Sequence, residues 1–122
     1  MSHPVTVKAW GSETLIANRD FCGKIMTLRE GMRCSLHYHR VKDETFLVTR
    51  GRVKVEIGRS GEAERTGNGL SVLVLGPGDS IDVPPLTLHR FTGLEDSEFI
   101  EFSTRDDPAD SVRIVPSGPA AV

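Results

Sequence analysis

The chain has 122 residues and a mass of 13.4 kDa, which is the size of one domain built around one core. Its 15 basic and 17 acidic residues give a formal net charge of -2, so it lacks the overall basic charge that attracts nucleic acid or anionic membranes. No apolar run is long enough to span a bilayer, and the first residues lack a secretory-signal pattern. We therefore expect a cytoplasmic protein that binds neither nucleic acid nor membrane.

Short runs of β-branched and aromatic residues alternate with Gly, Pro, Asn and Asp, and helical periodicity is hard to find. The segment VTVKAW (residues 5–10) predicts an edge strand or a segment that crosses to a neighbouring subunit. Further strands are predicted at Glu13–Ile16, Lys24–Leu28, Arg33–His39, Glu44–Thr49, Val53–Ile57, Leu70–Leu75, Ser80–Val83, Leu88–Thr92 and Phe99–Ser103. Turns are predicted at Arg50-Gly51, Ser60-Gly61, Gly67-Asn68-Gly69 and Gly76-Pro77-Gly78-Asp79. This pattern is typical of an all-β sandwich or barrel with antiparallel strands.

The predicted organisation is a single domain over residues 1–122, with a core over about residues 10–103. Residues 104–122 contain few large apolar residues, so we expect a surface segment that ends in a loose tail. Cys22 and Cys34 are expected to be reduced thiols that pack outside any metal pocket. In a continuous strand, Cys34 would share a face with Leu36 and Tyr38, and that apolar face would need a second layer or a dimer contact as its cover.

His37 and His39 stand two residues apart in a predicted strand, so they project from one face with Cα atoms roughly 6.6 Å apart. That spacing allows two imidazoles to converge on one metal ion. Glu44 has the opposite parity, so the chain must bend between residues 40 and 43 for its carboxylate to join them. A second strand would then send Glu44, Phe46 and Val48 inward.

A further ligand is needed for a tight site, and two histidines remain in the sequence. His3 lies in a terminus that we expect to be frayed, whereas His89 follows two prolines that end one strand and redirect the chain. His89 shares a strand face with Phe91, so both are expected to face the same interior.

The spacing of these residues resembles the two motifs of the cupins. Gly31, His37, His39, Glu44 and Gly51 match the first motif, and Gly78, Pro84 and His89 match the second. Leu86 stands where the second motif usually has glycine, and Gly93 where it often has asparagine. The resemblance implies a single-domain jelly-roll barrel of two antiparallel sheets. It also implies a divalent ion, Mn, Fe, Zn, Ni or Co, held by His37, His39, Glu44 and His89.

A narrower likeness concerns sugars. The stretch from His37 through Lys42 to Glu44 resembles metal-dependent lyxose isomerases, and Trp10-Gly11-Ser12-Glu13 with Gly31-Met32-Arg33 is similar to the cupin part of mannose-6-phosphate isomerases. It implies a sugar or sugar-phosphate isomerase or epimerase that acts through a metal-stabilised enediolate. Lys42, if its pKa were lowered, and Glu101 are then the candidate catalytic residues. Arg33, Ser35, Phe46 and Phe91 are the candidate substrate-binding residues.

Two other functions remain open. The same four ligands would suit an iron-dependent dioxygenase, and a metal-bearing sugar-binding module without turnover would have the same motifs. For all three functions we expect a small-molecule ligand and a homodimer. For the isomerase and for the sugar-binding module we expect this ligand to be a carbohydrate.

Overall fold

The fold was analysed in a computed structural model that describes residues 2–59 and 69–120. It consists of two antiparallel sheets, as predicted. The first sheet contains, in spatial order, β1 (Val5–Lys8), β2 (Gly11–Asn18), β3 (Phe21–Leu28), β11 (Ser97–Thr104), β6 (Glu44–Arg50) and β9 (Ser80–Val83). The second sheet contains β12 (Ser111–Val115), β5 (Leu36–His39), β10 (Thr87–Gly93), β4 (Met32–Arg33) and β13 (Gly118–Pro119), with β7 (Val53–Arg59) on β10 and β8 (Ser71–Leu75) on β7.

The predicted strands correspond to observed strands with small shifts at their ends. Residues 5–8 form an edge strand within the chain, paired with β2, which is the first of the two predicted alternatives. The predicted turns at residues 60–61 and 67–68 lie outside the described residues. Gly51 has a φ of 87°, and a Cβ there would collide with the backbone at Asp96, so the hairpin between β6 and β7 requires glycine.

The predicted strand Arg33–His39 is interrupted at Cys34 and Ser35. The interruption changes the alternation of side chains, so Cys34 packs in the core between the sheets, whereas Leu36 packs on the opposite side with Leu88. The prediction that Cys34 shares a face with Leu36 and Tyr38 is therefore wrong. Cys34 is instead fixed by the backbone N–H of Phe91, which donates to its Sγ at 3.2 Å.

The C-terminal segment adds strands to the second sheet. After a short 3-10 helix (Pro108–Asp110), β12 pairs with β5, and β13 pairs with β4. Ile114 and Val115 pack against Leu36 and Leu88, so this chain itself supplies a cover for the apolar back of the histidine strand. The prediction of a loose tail is therefore wrong for residues 111–119. The segment is short and rich in polar residues, so no local signal had predicted a strand here.

Leu86 is the one non-glycine residue with a positive φ, 64°, in the described part of the chain. It stands at the position where the cupin motif usually has glycine, so the left-handed turn is kept although leucine disfavours it. Its N–H donates to the His39 carbonyl at 2.7 Å and so ties the two histidine-bearing segments together.

Replacing Leu86 by glycine is expected to raise the free energy of unfolding by about 1 kcal/mol, because the left-handed strain of leucine disappears and its half-exposed side chain loses little packing. Thermal unfolding would show a rise in Tm of a few degrees. Leu94→Gly is the control, since Leu94 has an ordinary φ and should lose stability. Equal losses in both variants would contradict the strain argument.

Candidate metal centre

Four chemically suited side chains meet between the two sheets. His37 and His39 project from β5, and His89 from β10, where His89 lies directly opposite His37 in the sheet. The ring centroids of His37 and His89 are 4.3 Å apart, and ligand nitrogens of the three histidines lie within 4.8 Å of one another. Glu44, at the start of β6 in the other sheet, approaches from the facing wall: its carboxylate oxygens lie 3.5 Å from Nε2 of His39 and 3.4 Å from Nε2 of His89.

Backbone carbonyls fix the orientation of two imidazoles. Nδ1 of His37 lies 2.9 Å from the Ser35 carbonyl oxygen, and Nδ1 of His89 lies 3.0 Å from that of Thr87. A carbonyl only accepts, so each Nδ1 carries the proton and each Nε2 presents its lone pair to the space between the sheets. Ser35 is thus an orienting residue for His37, and its hydroxyl lies 3.1 Å from the same nitrogen.

The electrostatics favour neutral histidines. Burial lowers the pKa of His37 to about 3, with a contribution from neighbouring His89. Burial likewise lowers the pKa values of His39 and His89 to about 4. Burial, together with the Glu101 carboxylate, raises the pKa of Glu44 to about 8, against the opposing effect of Lys42. At neutral pH the imidazoles are therefore unprotonated, as a metal ligand must be.

The contact between Glu44 and His89 tests whether a cation fits here. Oε2 of Glu44 is buried and has no hydrogen-bond partner, and it faces the lone pair on Nε2 of His89. Two electron-rich atoms at 3.4 Å need a positive charge between them, which either a proton or a metal ion supplies. The three histidines and Glu44 therefore fit a divalent ion that prefers nitrogen and carboxylate ligands.

Metal binding at pH 7 is expected to release most of one proton, because an ion must displace the proton that Glu44 retains with its raised pKa. The neutral histidines would release almost none. Calorimetric titration with Ni²⁺ in buffers of different ionisation enthalpy measures the number released. The release should fall as the pH is raised above about 8; a release near zero at both pH 7 and pH 9 would contradict the assignment.

The surroundings of Lys42 stabilise its charged form, whereas the role of a catalytic base would require a lowered pKa. Its ammonium lies 3.0 Å from Glu44, 2.7 Å from Glu101 and 2.7 Å from Asp106, and its side chain is almost fully buried. Burial alone would lower the pKa of Lys42, but the charges of Glu101 and Glu44 outweigh it and raise the pKa well above its usual value. The lowered pKa that a lysine base requires is not found.

A cavity of about 400 Å³ opens onto these side chains. Glu101 lies in its wall, where Oε2 accepts hydrogen bonds from Lys42 and from the Ser103 hydroxyl at 2.8 Å. Phe46 and Phe91, whose ring centroids are 4.7 Å apart, form an apolar part of the lining near His89.

Two other side chains do not lie where the sequence predicted them. Arg33 is not among the residues that line this cavity; it lies in β4, where it pairs with Thr92 and Gly118. Cys34, by contrast, is in the cavity wall rather than outside it. Burial raises the pKa of its thiol to about 11, so it remains protonated and unsuited to bind a metal at neutral pH.

The sequence did not predict that the C-terminal segment contributes side chains to this site. Asp106 joins Lys42 and Lys24, with its Oδ2 3.1 Å from the Lys24 ammonium, and Lys24 also lies 3.6 Å from Glu13. Arg113 lies in the cavity wall as well. The acidic and basic residues of this segment were a signal, but nothing local indicated that the chain returns to the histidine strand.

One known protein family and several solved structures are similar to this chain. Residues 24–102 match the model of a family described as the cupin domain. No curated protein matches the sequence. Among the described residues, none belongs to a helix that could span a membrane.

Several solved structures share the fold. CapF from Staphylococcus aureus, described as a capsular polysaccharide assembling protein, superimposes with a TM-score of 0.81 at 17% identity, over 94% of this chain and 32% of its own. Oxalate decarboxylase from Bacillus subtilis gives 0.77 at 16% identity, over 92% and 30%. KdgF from Halomonas sp. gives 0.71 at 23% identity, over 88% and 90%. The chain thus spans about a third of the length of the first two and most of the third.

Proposed function

This chain belongs to the cupin family, and on that premise we propose that it is a metal-dependent isomerase or epimerase of a sugar or sugar derivative. The observation that carries the proposal is the meeting of three neutral imidazoles and one buried carboxylate at the wall of an open cavity. His37, His39, Glu44 and His89 would hold the ion. A bound divalent ion would supply a Lewis acid that stabilises negative charge on a substrate oxygen.

The proton transfer is assigned to Glu101 rather than to Lys42. Glu101 is buried in the cavity wall, and its carboxylate is positioned by Lys42 and Ser103. The Glu101 carboxylate can accept a proton from a substrate carbon and return it to the neighbouring carbon. Lys42 is thus a positioning residue, while Phe46 and Phe91 exclude water from beneath the reacting atoms.

A carbohydrate substrate is supported by the polar cavity wall and, more distantly, by the description of CapF as a capsular polysaccharide assembling protein. The homodimer and the cytoplasmic location predicted from the sequence belong to the same proposal.

A second candidate, a metal-bearing sugar-binding module without turnover, is favoured by one observation. The ammonium of Lys42 is fully engaged by three carboxylates, so the base expected from the sequence is absent. The isomerase then differs from the binding module only in the proton transfer that is assigned to Glu101.

Deuterium exchange tests the two. Protein loaded with each candidate metal would be incubated with aldoses and ketoses in heavy water, and exchange at C2 followed by NMR. We expect exchange with at least one sugar, and a loss of at least about 100-fold in Glu101→Gln. Glu98→Gln is the matched control, since Glu98 lies on the same strand outside the cavity and its loss should not change the rate. Binding without exchange would support the module, and oxygen uptake by the iron form would support a dioxygenase.

A further inference from the structure

The positive charges around the cavity are not all neutralised. Four cationic side chains line it: Lys8, Lys24, Lys42 and Arg113. Lys24 and Lys42 are paired with carboxylates that also line the cavity. Among the residues that the structure describes, neither Lys8 nor Arg113 forms an ion pair. Two cations of the lining are therefore free of a direct acidic partner, although the carboxylate of Asp107 also lies in the lining.

Arg113 stands directly beside the candidate metal centre. It pairs with His37 in the register between β12 and β5. Residues opposite each other in neighbouring strands project from the same face with Cβ atoms roughly 5 Å apart, so the guanidinium lies on the cavity side of the sheet, as the His37 imidazole does. Its charge contributes to lowering the pKa of His37. Arg113 is exposed, so a ligand can reach it.

Lys8 belongs to the other wall. It ends the edge strand β1 of the first sheet, whereas Arg113 belongs to the second sheet, and both line the same cavity. An anion that enters the cavity can contact an unpaired cation on each of two walls. The planar guanidinium also matches the paired oxygens of a carboxylate or phosphate.

We propose that Arg113, assisted by Lys8, binds an anionic group of the substrate, so the protein acts on a carbohydrate that carries a carboxylate or a phosphate. This inference rests on the proposed function for the sugar part and on the unpaired cations for the charge. The anion would lie beside His37, while the hydroxyl and carbonyl oxygens of the same molecule lie over the histidine cluster. Arg113 takes the part that the sequence had assigned to Arg33.

Matched probes test the charge. Calorimetric titration of Ni²⁺-loaded protein would compare gluconate with glucitol, and glucose 6-phosphate with glucose, because each pair differs in its anionic group. We expect one anionic probe to bind at least about tenfold more tightly than its neutral partner, with the advantage reduced in 0.5 M NaCl. The pair that shows this advantage identifies the group as carboxylate or phosphate.

The variant Arg113→Gln is expected to abolish the advantage of the anionic probe while the protein still binds Ni²⁺ and unfolds at a similar Tm. Arg105→Gln is the matched control, because it removes the same charge from the same segment outside this cavity. An advantage that survives in Arg113→Gln would overturn the proposal, as would equal binding of charged and neutral probes to the unmodified protein.

The two proposals fail separately. If Arg113→Gln loses anion binding but no sugar exchanges deuterium, the anion site stands and the isomerase does not. If anionic sugars exchange deuterium equally fast in the unmodified protein and in Arg113→Gln, the isomerase stands and the anion site does not.

Discussion

Replacing His89 by alanine is expected to raise the dissociation constant for Ni²⁺ or Zn²⁺ by at least about 100-fold, equivalent to about 2.7 kcal/mol. His89 is 1% exposed and lies opposite His37, and its Nε2 faces the unpartnered oxygen of Glu44. Its loss removes one of three imidazoles and also the partner that a cation would bridge to Glu44. Competition with a chromogenic chelator at pH 7 measures the change.

The fourth histidine of the chain provides the control for this prediction. His3 is exposed and lies before β1, far along the chain from the motifs, so His3→Ala should bind metal like the unmodified protein. Thermal unfolding of both metal-free variants shows whether each one folds. Unchanged metal affinity in a folded His89→Ala protein would show that the ion does not bind between these strands.

Replacing Lys42 by methionine is expected to lower the free energy of unfolding by about 3–5 kcal/mol, which is large against a typical total of about 5–15 kcal/mol. The ammonium is in contact with the carboxylates of Glu44, Glu101 and Asp106, and its side chain is 2% exposed. Without it, Glu101 and Glu44 both lose a hydrogen-bonded cation in a region that water hardly reaches. Urea unfolding at pH 7 measures the loss.

The pH dependence follows from the sign of the remaining charges. In the variant, the charge that opposes the raised pKa of Glu44 is gone, so the folded protein holds the Glu44 proton to a still higher pH. The stability deficit relative to the unmodified protein should therefore be smaller at acidic pH and grow as the pH rises above about 8. A deficit that does not depend on pH would contradict the charge explanation.

Two further variants separate charge from packing. Lys42→Met combined with Glu101→Gln should recover at least about 1 kcal/mol, because one uncompensated charge is removed. Lys54→Met, on β7, makes the same chemical change where no ion pair is formed among the described residues, and it should alter stability by no more than about 0.5 kcal/mol.

The local pattern of the sequence was enough to predict the strands before residue 105 and the inward residues of β6, but not β12 or β13. Glu44, Phe46 and Val48 are buried at alternate positions after a bend at residues 40–43, as predicted. This was predictable because a strand repeats every two residues, so the types of neighbouring residues show which face is buried. The motif spacing likewise predicted the cupin fold.

One local prediction failed, and one local preference is overridden, where the backbone departs from regular geometry. The interruption at Cys34 and Ser35 exchanges the faces of the preceding residues, and neither residue type demands it. Leu86 adopts a turn that its own preference opposes, and its hydrogen bond to His39 holds it there. In both cases contacts made elsewhere in the fold outweigh a local preference of about 1–2 kcal/mol.

By itself, the sequence determined the all-β fold, the faces of the regular strands and the residue types from which a metal centre could be built. Only the tertiary structure decided the charge state of Lys42 and the role of the C-terminal segment. Asp106, 64 residues away in sequence, is the third carboxylate in contact with the Lys42 ammonium. Arg113 reaches the cavity because β12 pairs with β5. The physical reason is that alternation along a strand is a local property, whereas the pKa of a buried group depends on every charge that folding brings near it.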